Sequence, residues 1–255
     1  MLVDPVFADL SAHHTLEVLL AAVGYSAVIY ADFSGYSDMA IGFALLLGFD
    51  TTENFRRPYT AFSVTDFWKR WHITFSSWLR EYLYFSFGGS RFGKARTLFA
   101  LVATMILGGL WHGPRLTFVI WGVMQGVALA IERAFSAGER RSPVRWKSSL
   151  QVCSTFAFVT VSWIVFRAAS PRDVLAFFVS LANFDAPIAT LAPLHGFLLA
   201  LAFASHAIPP SLSARAYDAW AWLPFPAKGL LSGAFIALLS ALSMSGVAPF
   251  IYFQF

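Results

Sequence analysis

A polytopic, all-helical membrane protein is the fold class this sequence predicts, and three observations carry the prediction. Of the 255 residues, 58% belong to the hydrophobic set and 13% are charged, whereas a soluble domain carries about 25% charge. The mean hydropathy is +0.63. The apolar residues lie in long runs rather than alternating, which suits helices and argues against a transmembrane barrel. Too little charge remains to coat a water-soluble enzyme of this size, and so apolar a chain is not intrinsically disordered.

A bilayer core of about 30 Å takes about 20 helical residues, and the charge-free runs are measured against that length. Residues 18–31 and 39–49 are both short, and Asp32-Phe-Ser-Gly-Tyr-Ser-Asp38 separates them, so they read as a helical pair with a break. Residues 97–114 and 116–131 flank Gly113-Pro114-Arg115 and read as a hairpin. Residues 148–166 form a clean span between Lys147 and Arg167. Residues 186–214 are interrupted at Pro209-Pro210, and 229–255 are uncharged. The sum is about five to seven membrane-embedded helices in one membrane domain.

Charge supplies orientation. Residues 132–147 carry Arg133, Arg140, Arg141, Arg145 and Lys147 against Glu132 and Glu139, and residues 91–96 carry Arg91, Lys94 and Arg96. Short basic loops face the cytoplasm, so the hairpin enters and leaves by that side. Its tip, at 111–115, then lies deep in the membrane or near its outer face. The overall balance is 18 basic to 14 acidic residues. Because the basic residues sit between apolar runs, they orient the chain rather than mark a nucleic-acid surface. Residues 66–85 differ from the rest: Trp68, Trp71, Phe75, Trp78, Leu79 and Tyr82 share one helical stripe, opposite Lys69, Ser77 and Arg80. That pattern predicts one amphipathic helix in the interface, capped by Ser63 and Asp66. The start of the chain shows no basic, cleavable leader.

His112 is the sharpest chemical candidate. It ends an uncharged run in Leu107-Gly-Gly-Leu-Trp-His-Gly113, and an ionisable group at membrane depth usually faces a cavity and often has a function. Gly108, Gly109 and Gly113 clear side chains around it for close backbone approach or a channel. Imidazole suits general-base work near neutral pH; the structural alternative is a histidine bonded to a helix carbonyl. His72, at the edge of the aromatic stripe, reads by itself as an interfacial histidine. His13, His14, His195 and His206 have no chemical company. No histidine pair has metal-binding spacing, and the lone Cys153 supports neither a disulfide nor a metal site. Asp32 and Asp38 either cap a broken helix or wall a channel. Arg56, Arg57, Lys69, Arg70 and Arg80 suit either an anionic donor such as a coenzyme A phosphate or anionic lipid headgroups.

Four stretches together resemble one family, the membrane-bound O-acyltransferases. They are Asp32-Phe-Ser-Gly-Tyr-Ser-Asp-Met-Ala-Ile-Gly42, Glu53-Asn-Phe-Arg-Arg-Pro-Tyr59, Asp66-Phe-Trp-Lys-Arg-Trp-His-Ile73 with Trp78-Leu-Arg-Glu-Tyr-Leu-Tyr84, and Gly108-Gly-Leu-Trp-His-Gly113. The ending Phe250-Ile-Tyr-Phe-Gln-Phe255 fits as well. The resemblance makes His112 the catalytic histidine and His72, 40 positions upstream, the second polar group. It implies acetyl transfer from acetyl-CoA, with no bound cofactor, to a hydroxyl of an exported polysaccharide such as alginate. Transfer would be direct or through a periplasmic relay, in a bacterial inner membrane. His112 would act as base, and His72 would orient the donor carbonyl or support the oxyanion, the two side chains lying within about 10 Å around one cavity. It further implies that residues 1–255 are the C-terminal portion of a longer fold lacking its N-terminal helices, through a misplaced start, a split gene whose separate half supplies them, or a decayed copy. After His112 the sequence departs from the family's usual Ala-x-Trp with Pro114-Arg115-Leu116. A truncated or non-catalytic subunit of an acyl-transfer complex and a transporter remain as other readings.

Overall fold

The computed structural model describes residues 2–135 and 145–242. They form eleven α-helices: α1 (Val3–Ala8), α2 (Thr15–Leu46), α3 (Val64–Trp68), α4 (Ile73–Trp78), α5 (Gly93–Trp111), α6 (Leu116–Phe135), α7 (Arg145–Arg167), α8 (Pro171–Ser180), α9 (Pro193–Ala204), α10 (Pro210–Trp222) and α11 (Phe225–Leu242). Four of these, α2, α5, α6 and α7, are long and apolar enough to cross a membrane, and α9 and α11 are shorter apolar helices. The protein is thus the polytopic helical bundle that composition predicted. Residues 136–144 and 243–255, which hold most of the basic loop and the C-terminal motif, lie outside the described residues.

One expectation fails at α2. Residues 15–46 form a single 32-residue helix and not a broken pair. Charge interrupts a hydropathy run but does not break a helix. No proline lies in this stretch, and Gly24, Gly35 and Gly42 each cost only about 1 kcal/mol relative to alanine. The helix stops where the backbone reverses, at Gly48 with φ of 84°, a left-handed position that glycine adopts without penalty. At about 1.5 Å per residue, α2 is far longer than the bilayer core is thick.

The hairpin of α5 and α6 is present and tightly packed. A methyl group added at Gly109 would collide with the carbonyl of Phe118, and one at Gly122 with the carbonyl of Met105. One at Gly126 would lie 2.7 Å from the Cα of Val102. Gly122 and Gly126 are four apart on α6, the small-residue spacing that lets membrane helices touch backbone to backbone. Gly109 therefore serves close approach and not a channel.

Around this hairpin lies an aromatic core: Tyr25, Phe33, Tyr59, Phe67, Trp68, Trp71, Phe118, Trp121, Trp163 and Phe166 are all buried. Polar links cross it between buried side chains. The Trp68 indole N–H donates to Gln125 Oε1 at 3.1 Å, and Gln125 Nε2 donates to Ser162 Oγ at 2.9 Å, tying α3, α6 and α7 together. Ser26 of α2 donates to Thr160 of α7 at 3.1 Å. By contrast, Trp222, Phe225, Phe235 and Ile236 on α10 and α11 are exposed, as side chains facing lipid would be.

A second expectation is corrected at residues 66–85. They do not make one interfacial helix. The chain forms α3, turns sharply, forms α4 and continues as a π-helical stretch, Leu79–Tyr84. The cap at Ser63 is real, its side chain accepting from the Asp66 N–H. Asp66 does not close the reciprocal bond, since its carboxylate accepts from Phe62 N–H instead. The start of α3 is held from outside the segment: Glu132 of α6 accepts from the N–H groups of Val64 at 2.6 Å and Thr65 at 2.9 Å. These are charge-assisted bonds at a positive helix end. Replacing Glu132 with alanine is expected to destabilise the protein by about 1–2 kcal/mol, as loss of a strong helix cap does. Thermal unfolding in detergent should show a lowered midpoint, with Glu132→Gln intermediate; an unchanged midpoint in the alanine variant would contradict this role.

Candidate functional site

Two backbone devices position the histidines. His112 caps α5: its N–H donates to Gly109 O at 3.0 Å. Gly113, with φ of 150°, and Pro114 then prevent the helix from continuing. The His112 ring sits in a cup of aromatic side chains, with centroids 5.0 Å from Phe166, 5.1 Å from Trp111, 5.6 Å from Trp121, 5.8 Å from Phe75 and 6.1 Å from Phe118.

His72 occupies the turn between α3 and α4 with φ of 43° and ψ of 57°. A left-handed conformation is uncommon outside glycine and persists where the surroundings over-determine it. Here they do. Residues 54–56 run beside residues 70–73, with Arg56 N–H donating to Arg70 O at 2.9 Å and Ile73 N–H donating to Asn54 O at 3.0 Å. The His72 ring is 4.7 Å from Phe33 and lies stacked on Phe75 at 5.0 Å. Burial pushes the His72 imidazole down to about 4, so the ring is neutral at physiological pH.

The fold therefore brings the two histidines together. Both rings rest on Phe75, which forms their common wall, and both side chains are only partly buried. A cavity of about 650 Å³ adjoins them. Its lining includes Ile73, Ser76 and Leu79, the neighbours of His72 and Phe75, but neither imidazole.

The basic residues separate into two sets. Arg56 pairs with Glu53 at 2.7 Å and Arg70 with Asp66 at 3.0 Å. Lys69 and Arg80 line the 650 Å³ cavity with Arg133 and Glu132 from α6, Arg80 also lying 3.5 Å from Glu81. By its place in a basic loop Arg133 is an orienting charge; the fold also sets it in this lining. Asp38 walls a smaller cavity with Tyr30, Ser34, Tyr59 and His206, whereas Asp32 is absent from that lining. His14 and His195 make local bonds, to the Leu16 N–H at 3.0 Å and the Ala192 N–H at 3.1 Å, whereas His13 Nδ1 lies 3.0 Å from Glu17 and 3.2 Å from the distant Thr190 hydroxyl.

Three residues of the site have no role in the sequence reading. Phe75 appears there only as part of a stripe. Glu132 and Asn54 act through partners 68 and 18 positions away. Asn54 stands inside the Glu53–Tyr59 motif, which was the available signal.

Residues 16–171 match the family model of the membrane-bound O-acyltransferases, and the chain belongs to this family. Its relatives include a probable alginate O-acetylase, AlgI, of Pseudomonas putida, 39% identical over 267 residues that cover 94% of this chain and 54% of the relative. The AlgI of Pseudomonas aeruginosa is 48% identical over 170 residues, 66% of this chain and 31% of the relative. A peptidoglycan O-acetyltransferase of Helicobacter pylori is 39% identical over 160 residues, 63% of this chain and 30% of the relative. The match thus spans about half the length of the first of these relatives or less.

Proposed function

We propose that the protein is a membrane O-acyltransferase of a bacterial inner membrane. It would pass acetyl from cytoplasmic acetyl-CoA to a hydroxyl of an exported polysaccharide such as alginate, directly or through a periplasmic relay protein. The observation that carries this reading is the meeting of His72 and His112 across Phe75, inside the segment that matches the family. The names of the relatives support acetyl as the group and a cell-surface polymer as the acceptor.

In this reading, the acceptor hydroxyl gives its proton to His112 as its oxygen attacks the thioester carbonyl. The C–O bond forms, the tetrahedral intermediate collapses, and the C–S bond breaks. The proton passes from His112 to the departing sulfur, so the products are an acetyl ester and free coenzyme A. His72 orients the reactants beside this centre. Lys69, Arg80 and Arg133 line the adjoining cavity with Ser63, Ser76 and Ser90, a donor set that suits the phosphates of the donor. The aromatic walls keep water from competing for the acyl group.

The cavity assignment is tested by charge reversal. Lys69→Glu combined with Arg80→Glu is expected to raise the KM for acetyl-CoA by about 10-fold or more, two lost charge-assisted contacts being worth about 1.5–3 kcal/mol each at most. Because neither residue touches the reacting atoms, kcat should change little. A lowered kcat at unchanged KM would contradict the donor-cavity assignment.

A further inference from the structure

The structure assigns to Asn54 a positioning role: it sets the tautomer of His72 so that Nδ1 carries the proton and Nε2 is left bare. This inference rests on the acyl-transfer reading above and sharpens it.

The argument starts from a donor that has no choice. The backbone N–H of Thr74 points at the Asn54 side-chain amide at 3.3 Å. A backbone N–H can only donate, so the atom it meets is the amide oxygen Oδ1. The opposite end agrees, since Asn54 Nδ2 donates to Ser37 Oγ of α2 at 3.2 Å. The Thr74 hydroxyl also donates to Oδ1, at 3.0 Å. With Oδ1 so fixed, the His72 Nδ1 that lies 3.1 Å from it must be the donor. A neutral imidazole has one ring proton. Nε2, at the far side of the ring from Asn54, therefore holds a lone pair.

The anchoring extends past the side chains. The Asn54 carbonyl accepts from the Ile73 N–H at 3.0 Å, so one residue grips the turn on both its backbone and its imidazole. The Phe33 and Phe75 rings hold the imidazole plane. Together these contacts account for the left-handed backbone at His72, a conformation the turn would not adopt unsupported.

The consequence concerns role. A neutral His72 with bare Nε2 accepts a hydrogen bond from a substrate N–H or O–H; it does not donate to an oxyanion. Both roles open to His72 from the sequence, orienting the donor carbonyl and supporting the oxyanion, need an N–H at Nε2 and are thereby set aside; a bare Nε2 orients a hydroxyl or N–H of the substrates instead.

The test combines a double-mutant cycle with a spectroscopic measurement on the unaltered protein in native membranes. Asn54→Leu removes the acceptor; Asn54→Asp keeps an acceptor oxygen at the same place. Loss of a partner that fixes the tautomer of a metal-bound histidine costs about 10–100-fold, and Asn54→Leu should lower kcat by a comparable factor while Asn54→Asp retains most activity. Placed on a His72→Ala background, Asn54→Leu should cost nothing further, because residues that act through one another are non-additive. Nitrogen NMR of ring-labelled histidine in the wild-type protein should show a protonated Nδ1 and a bare Nε2 at His72. Additive losses, equal losses in the leucine and aspartate variants at matched membrane insertion, or a bare Nδ1 would each overturn the assignment. The acyl-transfer reading fails separately, by undiminished activity in His112→Ala.

Discussion

His112→Ala is expected to abolish ester-linked acetate on the exported polymer while the protein still inserts. A general base contributes about 10²–10⁴-fold to rate, and the aromatic cup around His112 offers no second titratable side chain among the ring neighbours described above. Folding should suffer little. His112 is held by its backbone N–H to Gly109 O, which alanine preserves, and the substitution removes a polar group from an aromatic cup, where its burial is costly. His112→Gln, which keeps bulk and polarity, controls for packing and should be as inactive as the alanine variant. Acetate is measured on purified polymer and normalised to inserted protein. Wild-type acetate in either variant would transfer the chemistry away from His112.

The second large effect is on stability. Gly122→Val should destabilise the protein by about 3 kcal/mol, the upper end of overpacking costs. Its side chain meets the Met105 carbonyl and the Ile106 Cα at 2.9 Å, and backbone cannot move aside as a side-chain tip can. The α5–α6 hairpin must then separate, and His112 at its tip loses its place opposite Phe75. Gly229→Val is the control, because nothing lies within 4 Å of a Cβ there. Thermal unfolding in detergent should show a marked drop for Gly122→Val and almost none for Gly229→Val. Equal midpoints would mean that the hairpin packs less closely than described.

The contrast between these residues shows what the sequence makes legible. Composition and run length suffice for a bundle, because a bilayer imposes one solution on any long apolar run. His112 stands out for the same reason: an ionisable group at the end of such a run needs an explanation. The hairpin is legible from its two uncharged runs and the Gly113-Pro114-Arg115 between them. The continuity of α2 is not, because two aspartates interrupt hydropathy without interrupting hydrogen bonding. The broken path of residues 64–84 is hidden too, since its aromatic spacing fits one helix. The break comes from backbone bonds to residues 54–56 and from Glu132, 68 positions away from Val64. Pairings across such separations leave no local pattern. Asn54 is the extreme case: its motif could be read, but its function lies in which atom faces Thr74.

Acyl transfer through His112 is the proposal to be tested. The most direct measurement supplies acetyl-CoA labelled in its acetyl group to the cytoplasmic face of sealed inverted membrane vesicles that carry acceptor polysaccharide inside. Wild-type vesicles should accumulate labelled ester on the enclosed polymer, and His112→Ala vesicles with equal inserted protein should not. Label on the polymer at the same rate in both would contradict it.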